Sequence, residues 1–458
     1  MFYKILLSSL LLFNVFYFKV AFLFFLGLVF LSGYIICLYH KNDPSKKILL
    51  LTLGTALLLR CLVSFVNYVF SDYAWSASDI FGDAQAYNGS ARYIADVISG
   101  FLQWQPFSDS SGDSVVYNVK KLEFQNQLPP YYTYQVSFIS YLYAYLYYLF
   151  GSSPLMLKYI NSFISVLNGY LCFRYLSHIV DKKIAFIGMI FLLFWPSYIL
   201  WSSSGLKDSI FIFILNITLF TMCHFLKYCR QNDIFYAIKK KYFLLLLLSF
   251  YLLLFYFLRP PFFGIILMIV SLSMIGMILS KKKFLFLILI FCIFLPVKTT
   301  NNWIQFTKRE IENRHFSEGI PPVYRVFPQR FYNSPNMDSI QPLSHMEILT
   351  VFLKGAFFFL FSPLPWQVNS ANRFLMYMES TALFSLIFLF FGGVYIGLRK
   401  YSYYVWPYFI SFCVMIFSFG PASFNLGTVF RHRMPVIMIY LIFVTIGLQY
   451  IVPQKNYK

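Results

Sequence analysis

The residues with the types and spacing of a proton-transfer centre lie early in the chain. In Ser78-Asp79-Ile80-Phe81-Gly82-Asp83-Ala84-Gln85-Ala86-Tyr87, Asp79, Asp83 and Tyr87 fall at i, i+4 and i+8. On a helix they share one face. A carboxylate held partly out of water has a raised pKa and can take a proton from a hydroxyl. The plainer reading of Gly82-Asp83 is a solvated helix cap.

A second constellation is Trp195-Pro196-Ser197 … Trp201-Ser202-Ser203-Ser204-Gly205-Leu206-Lys207-Asp208-Ser209. Serines, a glycine, Lys207 and Asp208 in a tight turn can hold a phosphate or a sugar. They can equally be a helix cap, Asp208-Ser209, with Lys207 reaching to the membrane interface. A third set is arginine. Arg259 precedes Pro260-Pro261, Arg431-His432-Arg433 opens the last apolar run, and Arg309, Arg314, Arg325 and Arg330 lie between them. The guanidinium fork suits phosphate oxygens. Some of the loop arginines have Glu310, Glu312 and Glu318 at hand, whereas Arg259, Arg431 and Arg433 have no acid within five residues.

Other patterns are silent. Glu379 opens an apolar run, and an acid at a helix N-terminus is favourable without any function. The histidines form no H-E-x-x-H, and the seven cysteines no C-x-x-C, so neither a metal site nor a disulfide framework is expected. A P-loop, a dinucleotide fingerprint and G-x-S-x-G are also missing from the sequence.

The elements that must position these residues follow from composition. Of 458 residues, 59% are hydrophobic and 12% charged, with 57 Phe and 37 Tyr. Soluble domains carry about 45–50% apolar and about 25% charged residues. The chain therefore reads as an all-α, polytopic membrane protein; its apolar residues run unbroken rather than alternating as in a β-barrel. The net charge of +20 is explained by basic cytoplasmic loops, and no nucleic-acid partner is expected.

Apolar runs at 48–70, 158–180, 184–201, 209–226, 242–258, 262–280, 379–398 and 434–451 have the length of a span, with shorter ones at 284–297 and 404–419. Residues 5–39 are drawn as a hairpin of two retained helices, which brings the total to about 12 spans. Lysine and arginine clusters at 41–47, 182–183, 227–241, 281–283, 399–400 and 455–458 define the cytoplasmic face and put both termini there. This leaves one integral membrane domain, 1–458, with two long extracytoplasmic loops, 71–157 and 298–378. The Tyr-rich segment 131–150 is laid on the outer surface as an amphipathic helix, and 347–362, stopped by Pro363 and Pro365, is read as re-entrant or interfacial.

Several of these motifs resemble those of the GT-C membrane glycosyltransferases, the protein mannosyltransferase and aminoarabinose transferase type of glycosyltransferase family 39. Gly82-Asp83-Ala84-x-x-Tyr87 is similar to their first-loop acid motif. Pro129-Pro130-Tyr131-Tyr132, with the helix up to Phe150-Gly151, resembles their juxtamembrane helix. Arg431-His432-Arg433-Met434-Pro435 resembles the R-x-R-x-P of a late helix, and the run 158–180, closing with Asp181-Lys182-Lys183, also fits. The likeness implies an extracytoplasmic active site in the cell inner membrane and a polyprenyl-phosphate-linked sugar as donor. It implies Asp83 as base, Asp79 as the nearest second acid, Arg259, Arg431 and Arg433 as phosphate holders, and Lys207 in a lesser part. The chain departs from the family in lacking the Asp-Glu or Asp-x-Asp pair of many members and the large C-terminal soluble domain of some. The acceptor, a glycan or a lipid, is left open. No cofactor is expected, and the need for a divalent cation is also open.

The expected function is glycosyl transfer in surface-polysaccharide assembly. Rival expectations are an O-antigen or capsule repeat-unit polymerase using lipid-diphosphate oligosaccharides, a lipid-linked sugar flippase or transporter, and a non-catalytic scaffold. A transporter would carry charges inside its spans; Lys19 and Arg60 are the main ones here.

Overall fold

A computed structural model of the chain describes residues 22–23, 25–41, 43, 45–69, 91–92, 94–95, 138–150, 154–231, 241–258, 260–278, 344–364, 371–420 and 426–451. All regular structure among them is α-helical. The helices are α1 (Phe25–Tyr39), α2 (Lys46–Val69), α3 (Phe138–Phe150), α4 (Pro154–Leu176), α5 (Lys182–Leu193), α6 (Pro196–Ser202) and α7 (Asp208–Gln231). They continue with α8 (Tyr242–Leu258), α9 (Pro260–Ile278), α10 (His345–Phe361), α11 (Ala371–Ser385), α12 (Ile387–Lys400), α13 (Ser402–Phe419) and α14 (Leu426–Ile451).

Four stretches are long and apolar enough to cross a membrane: Lys46–Val69, Asp208–Cys229, Ser402–Phe419 and Val429–Ile451. The pairs α5 with α6 and α11 with α12 raise this to six if each broken pair is one span. The described residues thus give four to six spans where the sequence suggests about 12. Part of the difference lies in runs such as 284–297 and most of 5–39, which fall outside the described residues. Part lies in length and composition. Helix α8 has 17 residues, at the short end of the range for a span. Helix α4, drawn as a span at 158–180, is not among the four; it carries the polar Asn161, Ser162, Ser165 and Asn168, all buried.

Two runs read as single helices are broken. The run 184–201 stops at Phe194 and restarts at Pro196, which cannot donate to a preceding turn. The run 379–398 breaks at Leu386, where α11 and α12 bend by 48°. Glu379 accordingly sits inside α11 rather than opening a helix.

The chain divides into two compact units, one of residues 1–170 and 198–213, the other of 171–197 and 214–458. In the first, Phe22, Phe25, Cys61, Leu155, Met156, Tyr159 and Phe163 form one apolar core. In the second, α14 is the central helix and packs on α5, α10, α12 and α13. Its closest neighbour is α12. A Cβ on Gly393 would strike the Phe443 carbonyl, and one on Gly447 the Leu389 carbonyl. Glycine is what allows the two backbones to touch. The Phe390 ring stacks on Tyr440 at 4.5 Å beside this contact. The outward face of α12 bears Phe388, Phe391 and Tyr395, exposed by 85%, 61% and 64%. Aromatic surface of that extent fits a lipid environment rather than water.

One end of the second unit gathers the basic residues. The Asp181 backbone N–H donates to Gln449 Oε1 at 2.8 Å, and Gln449 Nε2 donates to Asp181 Oδ2 at 3.1 Å. Lys400 Nζ lies 4.7 Å from the Tyr450 ring centroid. Lys182, Lys183, Arg399 and Lys400 thus share the end of the unit where α14 terminates.

Candidate functional site

Each unit buries polar chemistry. In the first, the turn after α6 is braced from several sides. Gly205 has φ +78°, the left-handed region where a side chain is strained. Its carbonyl accepts from Tyr143 Oη at 3.2 Å, and the Leu206 carbonyl accepts from Asn161 Nδ2 at 2.8 Å. Tyr143 belongs to α3, whose buried Ile139, Tyr143 and Tyr147 alternate with exposed Tyr141, Tyr145 and Tyr148. One side of α3 is thus packed against protein; residues 131–137 of the segment expected to be amphipathic lie outside the described residues. The serines that the sequence offers to a phosphate already have partners. Ser202 and Ser203 Oγ donate to the Ile199 carbonyl, and Ser204 Oγ donates to that of Trp201.

Arg60 lies in the same unit, fully buried in the middle of α2. Its Nε donates to Ser202 Oγ at 3.0 Å, its Nη1 to the Ala56 carbonyl at 3.1 Å, and its guanidinium carbon is 5.5 Å from the Tyr198 ring centroid. Ser64 Oγ bonds Ser162 Oγ and the Ser203 carbonyl, and Asn168 Nδ2 donates to Tyr198 Oη at 2.7 Å. Asn161 Oδ1, Ser165 Oγ and Ser209 Oγ are buried without a partner among the described residues. A buried polar atom left so costs about 1–3 kcal/mol. Lys207 is half-buried and Asp208 buried at the start of α7, and both have partners of their own.

In the second unit, Arg433 is fully buried on α14. Its Nη2 meets Glu379 Oε1 at 3.0 Å. Its Nη1 donates to the Leu360 and Ser362 carbonyls, both at 2.9 Å, and to Ser380 Oγ at 3.3 Å. Ser380 Oγ donates in turn to the Ser362 carbonyl at 2.7 Å. The other oxygen of Glu379 accepts the Ser197 backbone N–H at 2.8 Å. The guanidinium carbon lies 3.9 Å from the Phe430 ring centroid. One side chain thus ties together the end of α10, the middle of α11 and the first turns of α14. Among the described residues, the buried Nε of Arg433 has no partner.

The two arginines of the Arg431-His432-Arg433 motif do different things. Two helical positions are about 200° apart. Arg433 therefore points into the packing while Arg431 is half-buried. His432 lies 5.4 Å, ring to ring, from Phe419. Asp79, Asp83, Tyr87 and Arg259 lie outside the described residues. Among the described residues, no group of three or more His, Cys, Asp or Glu could hold a metal ion.

Sequence spacing did not find the Arg433–Glu379 pair or the Arg60 cluster. A signal for the first was present. After Glu347 the chain contains a single acid, Glu379. A buried arginine in that part of the chain has one carboxylate to choose from. Comparison with family models, with curated proteins and with solved structures finds no match to this chain.

Proposed function

We propose that the chain is a membrane glycosyltransferase. It moves a sugar from a polyprenyl-phosphate donor to a glycan or lipid acceptor on the extracytoplasmic face of the cell inner membrane, in surface-polysaccharide assembly. The observation that carries this reading is the polarity of the second unit. Its basic residues collect where α14 ends, and its buried guanidinium sits at the start of α14 with the half-buried Arg431 beside it. A lysine-rich cytoplasmic rim leaves the arginine end outside.

In this reading Asp83 takes the proton of an acceptor hydroxyl. The hydroxyl oxygen forms a bond to the anomeric carbon as the bond from that carbon to the lipid phosphate breaks, with inversion. The phosphate leaves with the electron pair, steadied by arginine. Arg431 and Arg259 are the phosphate holders. Arg433 works through its network, fixing the first turns of α14 from which Arg431 projects. Such a donor brings its own leaving group, so the lack of a P-loop in the sequence is consistent with it.

The test is turnover by purified full-length protein of a synthetic polyprenyl-phosphate sugar, read as released polyprenyl phosphate. The wild-type protein is expected to release it, and Asp83→Asn to lose about 100-fold or more, the lower range for a general base. Asp83→Asn at wild-type rate would overturn the assignment of the base. Equal release from wild type and from a protein-free control would overturn the reading.

A lipid-linked sugar transporter is the second reading, and Arg60 is what favours it. A cation fully buried in the middle of a span is a common mark of a translocation path. Movement of a labelled lipid-linked sugar across proteoliposomes without release of lipid phosphate would select it.

A further inference from the structure

The basic end of the second unit also carries a cavity. It has a volume of about 360 Å³ and is lined by His224, Lys227, Tyr228, Gln231, Lys241 and Leu244. This is within the usual range for a small-ligand site, about 300–1,000 Å³. It lies where α7 ends and α8 begins.

Its electrostatics favour an anion. Lys227 Nζ is 5.3 Å from the Tyr404 ring centroid and Lys241 Nζ is 5.2 Å from that of Tyr228. The lysines are thus placed by aromatic faces. Among the described residues neither forms an ion pair with a carboxylate. The His178 ring meets that of His224 at 5.4 Å. Part-burial, then the charges of Arg174 and Lys227, lower the pKa of His178, so it stands in a positive field. The wall offers ammonium, amide and phenol donors, and among the described residues that line it there is no acid.

The surroundings favour an anion that comes with a hydrocarbon tail. Directly after Lys241, Tyr242, Phe243 and Leu246 of α8 are exposed by 62%, 62% and 60%, and Leu244 of the same turn lines the cavity. Apolar surface of this kind beside a lysine-lined recess is what an acyl chain and its phosphate would cover together. Basic recesses between membrane helices hold headgroups for this reason.

We infer that the cavity between the end of α7 and the start of α8 binds the phosphate headgroup of an anionic phospholipid, through Lys227 and Lys241. This stands apart from the glycosyl-transfer reading, because the cavity lies at the opposite end of α14 from Arg433.

The experiment is native mass spectrometry of the detergent-purified full-length protein titrated with phosphatidylglycerol, with phosphatidylcholine, and with inorganic phosphate as competitor. Wild type is expected to hold phosphatidylglycerol more tightly than phosphatidylcholine. Lys227→Gln and Lys241→Gln should each weaken it roughly five-fold, the worth of one lysine near a charged surface. Lys183→Gln, on the same basic end but outside the cavity, should change nothing, and Lys227→Arg should retain binding. Lys241 is exposed, so its loss does not put folding at stake. Equal retention of the two lipids, or phosphatidylglycerol binding indifferent to both glutamine variants, overturns the proposal. Displacement of phosphatidylglycerol by inorganic phosphate at an equal concentration would make the ligand a soluble phosphate and overturn the lipid assignment.

Discussion

Glu379 and Arg433 are 54 residues apart in the chain and 3.0 Å apart in space, joined in the interior of the second unit. The pair is satisfied almost completely by protein groups: two carbonyls and a serine on the arginine side, and a backbone N–H on the glutamate side. That is the condition under which a buried ion pair can repay its desolvation.

Breaking this pair from either side leaves a buried charge. Glu379→Leu and Arg433→Met are each expected to cost about 3–5 kcal/mol. The double variant should recover much of that, because no charge is then left buried. The remainder is the lost hydrogen bonding of Leu360, Ser362 and Ser197. A double-mutant cycle on unfolding midpoints in detergent measures the coupling. Simple additivity would mean that the two side chains do not act as a pair.

Two adjacent glycines of α12 should behave oppositely. A Cβ on Gly392 meets nothing within 4 Å, whereas one on Gly393 runs into the Phe443 carbonyl. Gly392→Ala is expected to be neutral or to stabilise by up to about 1 kcal/mol, the helix-propensity difference. Gly393→Ala should destabilise by at least about 1–3 kcal/mol, the usual cost of overpacking, since backbone cannot step aside as a side chain can. Comparable unfolding midpoints for the two variants would disprove the close crossing.

His178 gives the basic end a pH signature. Its native pKa is lowered by part-burial and by Arg174 and Lys227, from an ordinary value of about 6.5. Below that value the unfolded chain takes up a proton that the folded chain resists. Stability is therefore level above about pH 6.5 and falls as the pH drops through the lower native value. His178→Gln should flatten this part of the slope between about pH 7.5 and 5, with His224 and the flanking cations unchanged. An unaltered slope in the variant would assign it to other groups.

Helices were the most legible part of the sequence. The unbroken apolar runs at 209–226 and 434–451 lie within α7 and α14, because length and hydropathy alone decide them. The breaks were less so. Pro196 could have marked the end of α5, but Leu386 has no residue type that announces a bend. Charge pairing was hidden for another reason. Local spacing places Asp208 at the start of α7, as expected of a cap. It cannot bring Glu379 to Arg433 or Arg60 to Ser202, which are 142 residues apart. The asparagines and serines of 158–180 gather toward one side of α4, and only the fold shows that this side is turned to protein.

The backbone contact of α12 with α14 has a mechanical consequence. Two helices seated carbonyl against glycine at Gly393 and Gly447, with Phe390 stacked on Tyr440 beside them, cannot ratchet past one another without opening a gap that neither water nor an acyl chain would fill cheaply. They move as a single strut. Any rearrangement of this unit has to be borne elsewhere, at joints such as the one at Leu386, while the α12–α14 seam keeps its register.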